Sequence, residues 1–415
     1  MQFFSENLPR LTELSRSVHE QIPATVRGLD YHERLGEEIE KLDQDSRIDL
    51  EKMVEDLLLY MYKNEASDID LGGPGCFGKI WYRVHGKKSP IKLNKELELE
   101  ETNLLLHNII TPGQRKRFIR DNSLDFSHSI EQEGKKENLR YRASMYLDLE
   151  QVALNMRKID AEIRPFKGLN LHPEIAKALS LKYYKYGLTL VTGITGSGKS
   201  STLDTIIDAN NRTVDAHIVI VASPVELIHK PIRSVVRHRE VGRDVPSFKD
   251  GAVQSLRQDP DIIVVGELRD PETIMTTLEI TDSGHKTFGT LHTSSAMESI
   301  ERIVGEVPSE EQNRVKTRLA DVLTCVMSQK LVPSLDGKRV LAKEVLLVTG
   351  PVRAAIRNDN VNEIYQMMAE GSDYGMITME QDLKRLYQSG TISREEALNN
   401  ANNKKRFLQL IDEAD

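Results

Sequence analysis

The 415-residue sequence predicts an α/β protein with two successive sheets, the first small and antiparallel, the second parallel and wrapped by helices. Three observations carry this. Segments between Ser67 and Asp148 alternate apolar and polar residues with a period of two, as half-buried strands do. From Gly187 to about Gly350, short apolar runs alternate with helical segments, the pattern of a parallel sheet with crossover helices. One of those runs, Leu188–Val191, leads straight into Gly193–Ser200, which reads G-x-x-x-x-G-K-S and is followed by the helix-forming "STLDTIIDA".

Taken in order, residues 1–49 are polar and helix-prone, with acidic clusters such as "GEEIEKLDQD". They read as a solvated helical extension or a partly disordered arm, or alternatively as a docking segment for a partner. Residues 50–160 read as a small α/β domain. "LEKMVEDLLLYMYK" has helical spacing, and "SDIDL", "GKIWYRVHG", "LDFSHSI" and "LRYRASMYLD" have strand spacing, with the helical "EETNLLLHNIITPGQRKRFIRD" between them. Residues 161–350 hold a linker, a short helix and the parallel sheet. Residues 351–415 read as helices in "VRAAIRNDNVNEIYQMMAE", "ITMEQDLKRLYQSG" and "SREEALNNANNKKRFLQLIDEA".

Composition narrows the function. An apolar fraction of 39% supports real cores, and the net charge of −8 argues against a dedicated nucleic-acid binder. The two cysteines, Cys76 and Cys325, have no C-x-x-C partner, which suits a reducing compartment and disfavours a structural zinc. No basic region followed by an apolar run marks a signal peptide, and no stretch approaches the ~18 uninterrupted apolar residues of a membrane span. Direct membrane insertion is therefore not expected.

Three motifs carry chemistry. In Gly193–Ser200 the glycines let backbone N–H groups turn toward phosphate oxygens, and the following helix N-terminus adds partial positive charge. Thr195, Gly196, Ser197, Gly198, Lys199, Ser200 and Ser201 are the expected nucleotide contacts. Lys199 is expected to reach the β- and γ-phosphates of ATP, and the Ser200 hydroxyl to ligate Mg²⁺. In "DPDIIVVGELRDPET" the strand Ile262–Val265 ends just before Glu267, a carboxylate placed to hold the Mg²⁺ or its water. In "SGHKTFGTLHTSSA" His292 follows the strand "TFGTL" and is a candidate γ-phosphate sensor. His285, earlier in the same motif, remains open between a structural and a chemical part.

These motifs, in this order, resemble the secretion ATPases of type II secretion, type IV secretion and type IV pili, nearest to the PilT-like pilus retraction branch. "ASDIDL" and "YRVHGK" are similar to the start of that family's N-terminal domain, and "REVGRD", "PVRAAIRNDN" and "GMITMEQDL" also have counterparts there. The resemblance implies a PAS-like N-terminal domain and a RecA-like ATPase domain assembled as a homohexamer. It implies a cytoplasmic position at the inner face of the membrane, with an inner-membrane platform protein as partner. It also implies that Arg83, Arg142 and Arg157 close over the phosphates, as permanently charged planar groups suited to offset developing phosphoryl charge.

One segment departs from the family pattern. Where relatives read T-I-E-D-P-x-E, this chain has "VASPVE", with Ala222 in the place of the first glutamate, thought to activate water, and Ser223 in that of the aspartate. Glu226 or Glu267 is left to orient the water. The expected function is ATP-driven pilus retraction. The alternatives are a DotB-like type IV secretion ATPase, a ring subunit impaired in hydrolysis and, from another class, a nucleic-acid motor, which the charge disfavours.

Overall fold

In the computed structural model, which describes residues 1–131, 138–159 and 162–412, the chain divides into two units. The first comprises Met1–Ala161 with Ser223–Leu227 and Gly242–Asp244; the second comprises Glu162–Ala222, Ile228–Val241 and Val245–Asp415.

The first unit starts with four helices, α1 (Gln2–Glu6), α2 (Leu8–His19), α3 (Gly28–Glu40) and α4 (Gln44–Lys63). They are followed by β1 (Ala66–Gly72), β2 (Trp81–Val84), β3 (Lys87–Pro90), α5 (Leu99–Asn108), α6 (Pro112–Asp121), β4 (Ser123–Ile130), β5 (Leu139–Asp148) and β6 (Gln151–Lys158). The sheet runs β3-β2-β1-β6-β5-β4 with antiparallel neighbours throughout. The period-two pattern splits it into two faces. Ile69, Tyr82, Phe126, Tyr141, Ala143, Leu154 and Met156 are buried on one, where α4 and α5 cover β1 and α6 covers β4. Polar residues occupy the other.

Residues 1–49 are not a solvated extension. Phe4, Leu8, Leu11 and Val18 recur at helical spacing, and with Leu35 and Ile39 they are buried in the same core as the sheet. α2 and α3 pack on α5, and α1 packs on α4. Asp43 caps α4 by accepting the Ser46 amide at 2.8 Å. Leu35→Ala is expected to destabilise the first unit by about 2–5 kcal/mol, the usual cost of a fully buried leucine. Urea denaturation of the full chain reads this, and an unchanged midpoint would mean that α3 contributes nothing to the core.

The second unit contains α7 (Pro173–Leu179), β7 (Gly187–Thr192), α8 (Lys199–Thr213), β8 (His217–Ala222), β9 (Val235–Glu240), α9 (Phe248–Ser255), β10 (Ile262–Val265), α10 (Pro271–Asp282) and β11 (Lys286–Leu291). Then come α11 (Ala296–Gly305), α12 (Ser309–Val322), β12 (Leu323–Pro333), β13 (Arg339–Leu347), α13 (Gly350–Arg357), α14 (Val361–Glu370), α15 (Met379–Gln388), α16 (Arg394–Asn400) and α17 (Lys404–Asp412). The seven strands lie in the order β13-β12-β7-β11-β10-β8-β9. β7, β8, β10 and β11 are almost wholly buried, which is why they read as continuous apolar runs.

The edge departs from an all-parallel sheet. β13 runs antiparallel to β12, pairing Pro333 with Arg339 across a short loop. That loop holds Asp336–Gly337, with Gly337 at φ 78°, and the Asp336 carboxylate accepts from Ser334 and from the Lys338 amide. An Asp-Gly turn between apolar runs is a hairpin signal that the alternation of strands and helices obscures. Among the described residues no helix is long and apolar enough to cross a membrane.

Candidate nucleotide site

β7, β11 and β10 are consecutive in the sheet and parallel, so their carboxyl ends share one edge. The loop after β7 holds Gly193, Gly196 and Gly198 at φ 148°, 81° and 87°, a region other residues enter only with strain. It delivers the chain into α8, whose first residue is Lys199. The unpaired amides of that first turn, with the helix dipole behind them, make an anion-binding end. Gln329 of β12, buried, donates to the Ser197 carbonyl at 2.7 Å and pins the loop from below. Ser197 Oγ is buried with no hydrogen-bond partner among the described residues.

The Lys199 ammonium donates to the Gly193 carbonyl at 2.7 Å and the Ile194 carbonyl at 3.2 Å. Burial lowers its affinity for the proton, and the Glu267 charge opposes this. Glu267 lies just past β10, and its Oε1 is 3.7 Å from His292 Nε2, just past β11. Burial and the Lys199 charge together push the His292 imidazole below its ordinary value, with Arg269 adding to them and Glu267 opposing. The ring is therefore neutral at neutral pH and offers one N–H and one lone pair. Lys199, Glu267 and His292 thus act on one another electrostatically at a single sheet edge. Ser200 and Ser201 follow Lys199 on the exposed start of α8, and Thr195 and Gly196 are exposed on the loop.

His285 is elsewhere. It precedes β11, at the opposite edge of the sheet, with Nδ1 near Ser283 Oγ at 3.0 Å and the Ile280 carbonyl at 3.2 Å. A strand separates the two histidines of that motif, so only His292 reaches the loop's edge.

Ala222 ends β8 and pairs in register with Glu240 of β9, which is buried. Its backbone packs where a side chain on Gly266 would stand, since a Cβ there would come within 3.2 Å of the Ala222 Cα. Glu226 belongs to the first unit, with its Oε1 3.5 Å from Arg142 Nη1.

The profile of the family described as "Type II/IV secretion system protein" matches residues 43–410. The chain belongs to this family. It is an ATP-hydrolysing enzyme that uses nucleotide. It is 36% identical over 354 residues to the type IV pilus retraction ATPase PilT of Pseudomonas aeruginosa, an alignment covering 85% of this chain and 99% of that protein. A crystal structure of the pilus retraction motor PilT with bound ADP superposes with a TM-score of 0.73 at 34% identity, covering 84% of this chain and 97% of that one. The ATPase DotB of Legionella pneumophila gives a TM-score of 0.73 at 26% identity, covering 87% and 96%.

In this secretion ATPase the three arginines suggested by the resemblance lie in the first unit, on one transverse row of its polar face. Register places Lys88, Arg83, Asp68, Arg157, Arg142 and Ser127 side by side across all six strands. The row holds four cations and one acid. Asp68 is buried and accepts from Arg157 Nε at 2.8 Å and from Ser67 Oγ at 2.7 Å, and Arg83 Nε lies 3.6 Å away. Burial alone would raise its carboxyl, but the Ser67 and Arg157 hydrogen bonds and the two guanidinium charges hold it below the ordinary value.

Sequence reasoning missed Asp68, Gln329, Glu344 and Asn402. Asp68 was visible only as a polar position of a strand, because the strand order that sets it between two arginines is not local. Gln329 and Glu344 sit in the β12–β13 hairpin that the strand–helix alternation concealed.

Proposed function

We propose that this secretion ATPase is a PilT-type motor, a hexameric ring that couples ATP hydrolysis to retraction of a type IV pilus. The observation that carries the chemistry is the Gly193–Ser200 loop facing Glu267 and His292 across adjacent strand ends. Thr195 to Ser201 hold the phosphates through loop amides and the Lys199 ammonium. The Ser200 hydroxyl and Glu267 carboxylate are hard oxygen donors that would hold Mg²⁺, which when bound neutralises phosphate charge. Glu267 or Glu226 orients the attacking water, and His292 contacts the γ-phosphate. Arg83, Arg142 and Arg157 offset phosphoryl charge, and what supports this is that Arg83 and Arg157 share the single carboxylate of Asp68, which leaves that pair net positive. The work is done on a platform protein at the inner face of the cytoplasmic membrane.

A DotB-like secretion role is the second reading. The equal TM-score favours it, and the lower identity counts against it. The ring and its task are tested by size-exclusion chromatography with light scattering, and by asking whether the gene restores twitching to a strain lacking its retraction motor. A monomer at all nucleotide concentrations, or restored secretion without restored twitching, would overturn the retraction reading.

Ala222 bears on speed. Ala222→Glu places a carboxylate at the end of β8, level with Gly266, the residue before Glu267. A positioned base contributes ~10²–10⁴-fold, so the variant is expected to raise kcat about tenfold or more with little change in nucleotide affinity. Steady-state phosphate release reads this, and an unchanged kcat would show that the existing acids already fill the part.

A further inference from the structure

The turn that carries His292 is held by C-terminal elements. β11 ends at Leu291, and His292–Ser295 leads to Ala296, the first residue of α11. Within the turn, Ser294 donates to Glu298 and Ser295 caps the helix by accepting the Glu298 amide. Two further contacts come from far along the chain. Glu344 of β13 accepts the Ala296 amide on Oε1 at 2.7 Å, inside the core. Asn402, between α16 and α17, donates its side-chain amide to the Ser294 carbonyl at 3.2 Å.

Glu344 is one of three buried acids on β13 and α15, and of the other two Asp382 accepts the neighbouring Lys343 amide at 2.9 Å. Glu380 of α15 is fully buried and accepts the Asn403 amide at 2.7 Å and the Tyr365 hydroxyl at 3.0 Å. The Arg406 guanidinium of α17 stacks 3.9 Å over the Tyr365 ring of α14. Lys330 of β12 donates to the Asn400 carbonyl and to Asn402 Oδ1, each at 2.7 Å. Three C-terminal helices and the 400–403 turn therefore converge on Glu344 and Glu380, the first of which bonds the His292 turn. Stability alone does not call for this. Burying two carboxylates beside each other costs more than packing apolar groups of the same volume, so their presence points to a task.

We propose that Glu344 is a positioning residue for His292. Through its bond to Ala296, and Asn402's to Ser294, the C-terminal helices set the rate of hydrolysis and leave the grip on nucleotide to the Gly193–Ser200 loop. The proposal rests on the reading of His292 as the γ-phosphate contact.

The physics gives it a direction. An ionised Glu344 makes a charge-assisted bond to an amide at the positive end of α11, and a protonated one makes a weaker bond. Burial first, and then the Glu380 charge, raise its carboxyl from 4.5 to about 7, while the Ala296 and Met379 amides and Lys330 oppose the rise. As pH climbs through that value the turn firms and turnover rises. Stability moves the other way. The folded carboxyl holds its proton more tightly than the unfolded one, so this group's stabilising contribution is complete below pH 4.5 and is lost as pH rises through about 7. A merely structural Glu344 would make activity follow stability.

The test uses the purified full chain with Mg·ATP. Steady-state kcat and KM are measured from roughly pH 6 to roughly pH 8.5, and nucleotide affinity with a fluorescent ATP analogue. Glu344→Ala is expected to lower kcat about tenfold or more while analogue affinity stays within about twofold. Glu344→Gln keeps the acceptor and loses the charge, so it should run near the low-pH wild-type rate at every pH, without the limb near neutrality. Asn402→Ala removes an exposed side chain, with its bonds to the Ser294 carbonyl and to Lys330, and should lower kcat about two- to fivefold. If His292→Ala leaves kcat unchanged, the reading of His292 falls and this proposal with it. If His292→Ala slows turnover while Glu344→Gln reproduces the wild-type pH limb, or Asn402→Ala turns over at the wild-type rate, the positioning proposal alone is overturned.

Discussion

Replacing Lys199 with alanine is expected to abolish tight ATP binding, and turnover with it. The loop amides after β7 supply dipoles, but Lys199 is the full positive charge carried by the loop itself. Its ammonium already lies against the loop, on the Gly193 and Ile194 carbonyls. Hydrogen bonds to charged groups are worth ~1.5–3 kcal/mol each, so losing a cation that bridges two phosphates should weaken affinity a hundredfold or more, roughly 3 kcal/mol. Folding should survive, because Lys199 is half exposed and its partners are carbonyls of its own loop. Lys199→Arg is expected to fail as well, since a planar fork does not fit where a compact point charge turns inside a tight loop. Calorimetric titration with Mg·ATP reads both variants, and unchanged affinity in Lys199→Ala would refute the assignment.

The second large effect is at Glu267. Glu267→Gln removes a charge but keeps the shape of a side chain that sits 3.7 Å from His292. If Glu267 orients water, kcat should fall ~10²–10⁴-fold with nucleotide affinity changed only a few-fold, so the variant accumulates with ATP bound. His292 loses the neighbour whose charge raises its affinity for the proton, and so stays neutral. The side chain is partly exposed, and the swap should change stability by less than about 1 kcal/mol. Single-turnover and steady-state phosphate release separate the two steps. Equal losses in binding and turnover would place Glu267 in substrate holding instead.

Much of this was legible in the residue order. Parallel strands buried on both faces announce themselves as apolar runs, as "LTLV", "HIVIVA" and "IIVV" do, and a glycine-rich turn between run and helix marks the phosphate edge. Once Glu267 and His292 each follow such a run, a shared edge follows from the parallel direction. The antiparallel unit was readable for a different reason, the strict alternation in "LDFSHSI" and "LRYRASMYLD". What stayed hidden depends on pairing order and on long-range burial. Phe4, Leu11 and Leu35 are spaced for a core face, yet the acidic runs around them read as solvent-facing until α5 is seen beneath. Asp68 gains its meaning only when β1 lies between β2 and β6. Glu344 and Asn402 lie about fifty and a hundred residues from the turn they hold, and no local pattern connects them to it.

A structure of the full chain with magnesium and a non-hydrolysable ATP analogue bears most directly on this account. The phosphates should lie on the amides of residues 194–200 within hydrogen-bond distance. Lys199 should swing from its loop carbonyls to the β- and γ-phosphates, and Glu267 and His292 should face the terminal phosphate. An analogue seated elsewhere on the chain, or bound at the loop with Glu267 and His292 turned away from it, would contradict the assignment.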